Sequence, residues 1–265
     1  MAKPLAGKRI LVTRPNHQAG EQAALLKQLG AEPVLFPLLE ITPTDTSGDD
    51  YPLLKSRILD LDLYQKIIFI SANAVHYGVE LIDQYWPQLP VGIEWLAIGK
   101  KTASALQRYD IHAQHAPNGY NSEALLAAQC LQNVAEQRIL IMRGRNGRET
   151  LAETLRKRGA LVDYADLYRR SCPDYTPQEI SSTIYNRPLD AILITSGEAL
   201  LNLYAILATA NNLTKSLATS AVVPSERVAR QAIELGFTQV TIAQGPDSQA
   251  MAQAVISITD TDELQ

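Results

Sequence analysis

Two stretches decide the fold: Lys8-Arg9-Ile10-Leu11-Val12-Thr13-Arg14 and Gln137-Arg138-Ile139-Leu140-Ile141-Met142-Arg143. Laid over each other they open a repeat. Residues 8–41 align with 137–170 at an offset of 129, and nine of the 34 positions are identical, where ordinary composition gives about two by chance. The register continues with small gaps. Phe69-Ile70-Ser71-Ala72-Asn73-Ala74-Val75 matches Ile194-Thr195-Ser196-Gly197-Glu198-Ala199-Leu200. Ile98-Gly99-Lys100-Lys101 meets Val223-Pro224-Ser225-Glu226, and Ser122-Glu123-Ala124 meets Ser248-Gln249-Ala250. A period this long marks a duplicated domain, not a solenoid of short units.

Each copy alternates strands with helices. The first copy predicts strands at 8–13, 32–36, 66–70, 93–97 and 112–116. The second predicts them at 138–142, 161–165, 190–194, 219–223 and 239–243. Continuous apolar runs such as Lys66-Ile67-Ile68-Phe69-Ile70 and Ala191-Ile192-Leu193-Ile194 suit strands covered on both faces of a parallel sheet. Gly30 and Gly159 follow helical patterns, where a left-handed C-cap is expected. The expectation is α/β: two flavodoxin-like doubly wound domains, each with a five-stranded parallel sheet. Prolines 33, 37 and 43, and later Cys172-Pro173 and Pro177, follow the second strand of each copy. Either the chain leaves the first domain after two units and returns, or the copies stand in tandem.

Length, composition and charge narrow the class. The chain has 265 residues, 46% hydrophobic and 20% charged, ordinary globular values. A net charge of −4 gives no general field for nucleic acid. No apolar run approaches a membrane span, and Met1-Ala2-Lys3-Pro4-Leu5-Ala6-Gly7-Lys8 lacks a signal-peptide core. Two distant cysteines, Cys130 and Cys172, fit a reducing cytoplasm better than a disulfide scaffold. His17, His76, His112 and His115 show no metal spacing. Neither nucleotide-binding, hydrolase-elbow nor metalloprotease motifs are present.

What remains is a set of small polar and basic residues at predicted strand ends and helix starts. They are Thr13 and Arg14, Ser71 and Asn73, Gly99 with Lys100, Lys101 and Thr102, Ser122, Arg143 to Arg148, Thr195 and Ser196, Ser225 and Ser248. In open α/β sheets ligands bind outside the carboxyl ends of the strands, and helix N-termini there suit anions. The same residue types are also the preferred helix caps. Arg143-Gly144-Arg145-Asn146-Gly147-Arg148 joins carboxylate-binding forks to glycines that admit a ligand. Together these predict an anion-accepting cleft between two domains. A catalyst and a non-enzymatic module binding a small anionic ligand both remain open.

The residues resemble the uroporphyrinogen-III synthase family. The resemblance lies in Ile10-Leu11-Val12-Thr13-Arg14-Pro15, Phe69-Ile70-Ser71-Ala72-Asn73-Ala74-Val75 and Ala97-Ile98-Gly99-Lys100-Lys101-Thr102-Ala103. It continues in Asn121-Ser122-Glu123-Ala124-Leu125, the Arg143-Gly144 turn, Leu167-Tyr168 and Thr195-Ser196. It implies closure of the linear tetrapyrrole hydroxymethylbilane, a polycarboxylate, with inversion of the last pyrrole ring and loss of water. It implies an enzyme without cofactor or metal. Charge, apolar runs and cysteines, as read above, predict a cytoplasmic protein with no nucleic-acid or membrane partner, and nothing in the sequence demands more than a monomer. The resemblance selects the leave-and-return arrangement. Residues 1–37 with 175–265 form one domain, 45–167 the other, and 38–44 and 168–174 are linker strands. Tyr168 matches the tyrosine that assists loss of the hydroxyl. The substrate-binding positions it implies are Thr13, Arg14, Ser71, Ala72, Asn73, Gly99, Lys100, Thr102, Ser122, Arg143, Gly144, Ser196, Gly197 and Ser225. Ile70 stands where the family often has threonine. Pro224 stands opposite Gly99, so the amide of Ser225 must donate in its place.

Overall fold

The computed structural model describes residues 3–116, 119, 121–209 and 213–262, with side chains described to 259. In chain order the elements begin with β1 (Arg9–Val12), α1 (Asn16–Gln28), β2 (Glu32–Leu35) and β3 (Glu40–Pro43). There follow α2 (Tyr51–Leu59), β4 (Lys66–Phe69), α3 (Ala72–Asp83), β5 (Glu94–Ala97), α4 (Lys100–Gln107), β6 (Gln114–His115) and α5 (Ser122–Leu126). Next come β7 (Arg138–Gly144), α6 (Thr150–Lys157), β8 (Leu161–Ser171) and α7 (Pro177–Ile180). The chain continues through β9 (Ala191–Leu193), α8 (Gly197–Ala208), α9 (Leu213–Leu217), β10 (Ser220–Val223), α10 (Glu226–Glu234), β11 (Val240–Ile242) and α11 (Ser248–Asp262).

Contacts divide the chain into two compact units, Met1–Glu40 with Ser171–Gln265, and Ile41–Arg170. In the first unit the sheet order is β11-β10-β9-β1-β2, and all its pairings are parallel. The strands alternate their faces as the pleat demands. Ile10 and Val12 pack with Leu26 and Met251 on one side. Leu11, between them, packs with Ile192, Leu200 and Val223 on the other. This is why β1 has no exposed position.

The second unit departs from the expected five strands. Its sheet has six, in the order β3-β8-β7-β4-β5-β6. The extra one is β3, formed by residues 40–43, part of the stretch read as a linker. As an edge strand it tolerates Pro43, which removes a ladder donor. Pro33 lies in β2, which is likewise an edge. The stretch 168–174 is not a separate strand either. Its first four residues prolong β8, which runs to Ser171 and not to 165.

The repeat explains the exchange of parts. β1 and β2 of the first copy pair with β9 of the second. β7 and β8 of the second copy pair with β4 of the first. Apart from β3, each unit thus takes two strands from one copy and three from the other. The helix ends repeat too: Gly30, Gly159 and Gly236 have φ of +98°, +89° and +96°. Each follows the C-cap of its helix, where the left-handed conformation favours glycine.

Candidate active site

The second unit carries the more developed site. β4, β5, β7 and β8 pair in parallel and run toward one rim of the sheet, and residues singled out in the sequence lie at or near that rim. Ser71 caps α3: its Oγ accepts the Ala74 N–H at 2.9 Å. Ala72 and Asn73 form the first turn, and all three are half-buried. Gly99 precedes α4, with Thr102 buried and Lys100 and Lys101 exposed. Ser122 is the first residue of α5, but the cap is Asn121, whose side chain accepts the Ala124 N–H.

Tyr168 is brought to this rim by a β-bulge. Along β7 and β8 the partners run Arg143 with Asp166 and then Gly144 with Tyr168, skipping Leu167. A slip of one residue turns a side chain to the opposite face. The extra residue therefore lets Leu167 and Tyr168 enter the same core, with Phe69, Val75 and Met142. Tyr168 is 2% exposed. Its hydroxyl lies 3.0 Å from Ser71 Oγ, and its ring centroid is 5.6 Å from that of Tyr77. Gly144 makes room for it. A Cβ there would stand 2.5 Å from Tyr168 Cε2 and 2.7 Å from Cζ.

Arg143 serves the unit's interior. It is 6% exposed. Its Nε donates to Asp166 Oδ1 at 2.8 Å and one Nη to Glu149 Oε1 at 2.9 Å. The guanidinium lies 3.5 Å over the Tyr164 ring. Burial works against its charge, but the bonds to Glu149 and Asp166 outweigh that and hold it more firmly protonated. Arg145 pairs with Asp50. The arginine turn expected to offer open forks thus has two of its three cations engaged by carboxylates of the same unit. Glu149 also accepts from the Tyr164 hydroxyl. Burial and that bond push Tyr164 up to about 12.

The hydrogen bond from Tyr164, then that from Arg143, holds the Glu149 carboxyl below the ordinary 4.5. A depressed native pKa contributes stability above the unfolded value and loses it as pH falls through the folded value. Glu149→Gln should therefore flatten the acid limb of stability below about pH 4.5. Both tryptophans, Trp86 and Trp95, lie in this unit, so denaturant titrations followed by their fluorescence check it. An unchanged acid limb would show that Glu149 stabilises nothing by its charge.

The first unit presents its own strand ends. Thr13 is buried at the end of β1 and donates to the Leu193 carbonyl at 2.6 Å. Arg14, half-buried, donates to the Pro246 carbonyl, and burial lowers its pKa. Ser196 caps α8 through the Ala199 N–H at 3.1 Å. Gly197 is buried close under Gln231 and Arg227. Ser225 stands at the N-cap of α10 without a side-chain cap bond. The structure places Tyr168, Ser71, Ala72, Asn73, Gly99, Lys100, Thr102, Ser122, Arg143 and Gly144 in the second unit. Thr13, Arg14, Ser196, Gly197 and Ser225 belong to the first. Sequence reasoning passed over Tyr77, Asp166 and Glu149. Their roles depend on contacts across elements, for which the local pattern holds no signal.

Among the described residues no cluster of three or more His, Cys, Asp or Glu could hold a metal. No described helix is long and apolar enough to cross a membrane.

The family model for uroporphyrinogen-III synthase HemD matches residues 20–253. The chain belongs to that family. The Escherichia coli uroporphyrinogen-III synthase is 33% identical over 250 residues, 93% of this chain and 99% of its own. The Salmonella typhimurium synthase is 32% identical over 255 residues, with the same coverages. Among solved structures, a mutant uroporphyrinogen III synthase of Thermus thermophilus aligns over 97% of this chain and 100% of its own. Its TM-score is 0.61 at 17% identity. The Helicobacter pylori uroporphyrinogen-III synthetase aligns over 95% and 99%, with a TM-score of 0.57 at 16% identity. At these identities the structures support the α/β fold, while the family rests on the sequence matches.

Proposed function

We propose that this chain is a uroporphyrinogen-III synthase, a lyase that closes hydroxymethylbilane into the macrocycle with inversion of the last pyrrole ring and loss of water. The observation that carries the reading within the geometry is the hydroxyl pair Tyr168–Ser71, 3.0 Å apart at the strand ends of one sheet. The relatives favour this reading over the non-enzymatic binding module. We read the fold as a pair of flavodoxin-like domains. The first two strands of each are β1 with β2, and β7 with β8. Residues near 38–44 and 168–174 serve as the connections.

The chemistry asks little of the protein beyond orientation. An electron-rich pyrrole pushes out its own hydroxymethyl oxygen, so the chain must mainly hold the substrate in the shape that favours attack at the substituted carbon. A modest acid assists departure of hydroxide, and the Tyr168–Ser71 pair supplies it. The backbone N–H groups at the starts of α3 and α4, with Lys100 and Lys101, provide local positive potential for substrate carboxylates. Local donors are needed because the net charge is −4. Neither a metal nor a cofactor enters this scheme. We place the enzyme in the cytoplasm, in keeping with free Cys130 and Cys172, and read it as a monomer. Incubation with hydroxymethylbilane and separation of the product isomers tests the activity.

A further inference from the structure

At 2% exposure, Tyr168 needs an acceptor for its hydroxyl proton inside the protein. Among the described residues, the acceptor within reach is Ser71 Oγ at 3.0 Å. The neighbouring Tyr77 gives its own proton to the Ile41 carbonyl at 3.0 Å. Tyr168 is therefore the donor and Ser71 the acceptor. Ser71 Oγ also accepts the Ala74 N–H at 2.9 Å. A serine hydroxyl has two acceptor positions and one proton. Both positions are filled, so the proton of Ser71 points away from both partners. Ser71 is half-buried, unlike Tyr168.

We infer that Ser71 is the residue that touches the departing hydroxyl of the substrate, and that Tyr168 is a positioning residue acting through it. This rests on the reading of the chain as a synthase. Two donors on one oxygen strengthen its own O–H as a donor. In the step, the carbon–oxygen bond of the hydroxymethyl group breaks and its electron pair stays on oxygen. That oxygen takes the Ser71 proton and leaves as water, while the Tyr168 proton moves to Ser71 Oγ. The pyrrole nitrogen lone pair supplies the electrons lost by the exocyclic carbon. Negative charge comes to rest on a phenol, a stronger acid than an aliphatic alcohol. The proton shed from the ring carbon after closure restores Tyr168.

The test compares Ser71→Ala, Ser71→Gly, Ser71→Thr, Tyr168→Phe and the double variant Ser71→Ala with Tyr168→Phe on hydroxymethylbilane. Ser71→Gly guards against misfolding, because glycine is tolerated at an N-cap far better than alanine. Both hydroxyl-free Ser71 variants should lose about a hundredfold in kcat, as removal of a general acid does. KM should stay within about twofold, because the interaction acts in the transition state. Tyr168→Phe should lose about tenfold, and the double variant should be no slower than Ser71→Ala, because the two act as one unit. Ser71→Thr should return kcat to within about threefold of wild type, since it keeps a hydroxyl. If Tyr168→Phe is slower than Ser71→Ala, if the losses multiply in the double variant, or if threonine fails to rescue, the assignment is overturned. A wild-type chain that does not accelerate closure would instead overturn the synthase reading itself.

Discussion

Gly144→Ala is expected to lower turnover about tenfold, as far as Tyr168→Phe does, because it displaces the positioning hydroxyl of Tyr168. The added Cβ would lie 2.5 Å from Tyr168 Cε2, closer than packed carbons approach. Rigid core surrounds that ring: Tyr168 is 2% exposed, and Tyr77 stands at 5.6 Å between centroids. Overpacking of this kind typically costs about 1–3 kcal/mol. The conflict is relieved most easily by moving the ring, which separates its hydroxyl from Ser71. Adding Tyr168→Leu to Gly144→Ala removes the ring edge that the methyl meets. The pair should recover stability in a Trp-monitored denaturant titration while turnover stays low. Normal turnover in Gly144→Ala alone would mean that the ring is not fixed by this contact.

Arg143→Leu is expected to destabilise the second unit by about 2 kcal/mol. Breaking a fully buried ion pair costs about 3–5 kcal/mol. Here Arg143 is buried, but the side chains of Asp166 and Glu149 are 37% and 48% exposed, so water screens part of the loss. The guanidinium bridges β8 to the turn after β7 and stacks on Tyr164. Lysine cannot reproduce that fork, and Arg143→Lys should recover less than half of the loss. The bulge that aims Tyr168 begins at the Arg143–Asp166 pair, so turnover should fall as well. The midpoint of Trp fluorescence in urea, at constant slope, measures the change. A shift below about 0.5 kcal/mol, the range of ordinary surface substitutions, would show that the cluster is incidental.

Much of the architecture was legible in the sequence. Lys66-Ile67-Ile68-Phe69 and Ala191-Ile192-Leu193 became strands because uninterrupted apolar runs suit a sheet covered on both faces, and both are fully buried. Gly30 and Gly159 marked helix ends because L residues resist the left-handed conformation required there. The strand β3 was hidden. Glu40-Ile41-Thr42-Pro43 is short, carries a proline, and pairs with β8, far along the chain. The extension of β8 was hidden as well, since Asp163, Asp166, Arg169 and Arg170 interrupt its apolar pattern. The site was legible as a set of strand ends but not as a geometry. Arg143 read as an open anion fork, because its partner Asp166 lies 23 residues away and meets it only through the register of β7 and β8. The bulge at Gly144 belongs to two strands at once, and neither records it alone.

As a synthase, this chain directs the closure of hydroxymethylbilane. The most direct measurement gives the purified protein that substrate, stops the reaction at early times, and separates the ring-inverted macrocycle from the uninverted one. Predominantly inverted product, formed faster than spontaneous closure, is the predicted result. Uninverted product alone, at the uncatalysed rate, would contradict it.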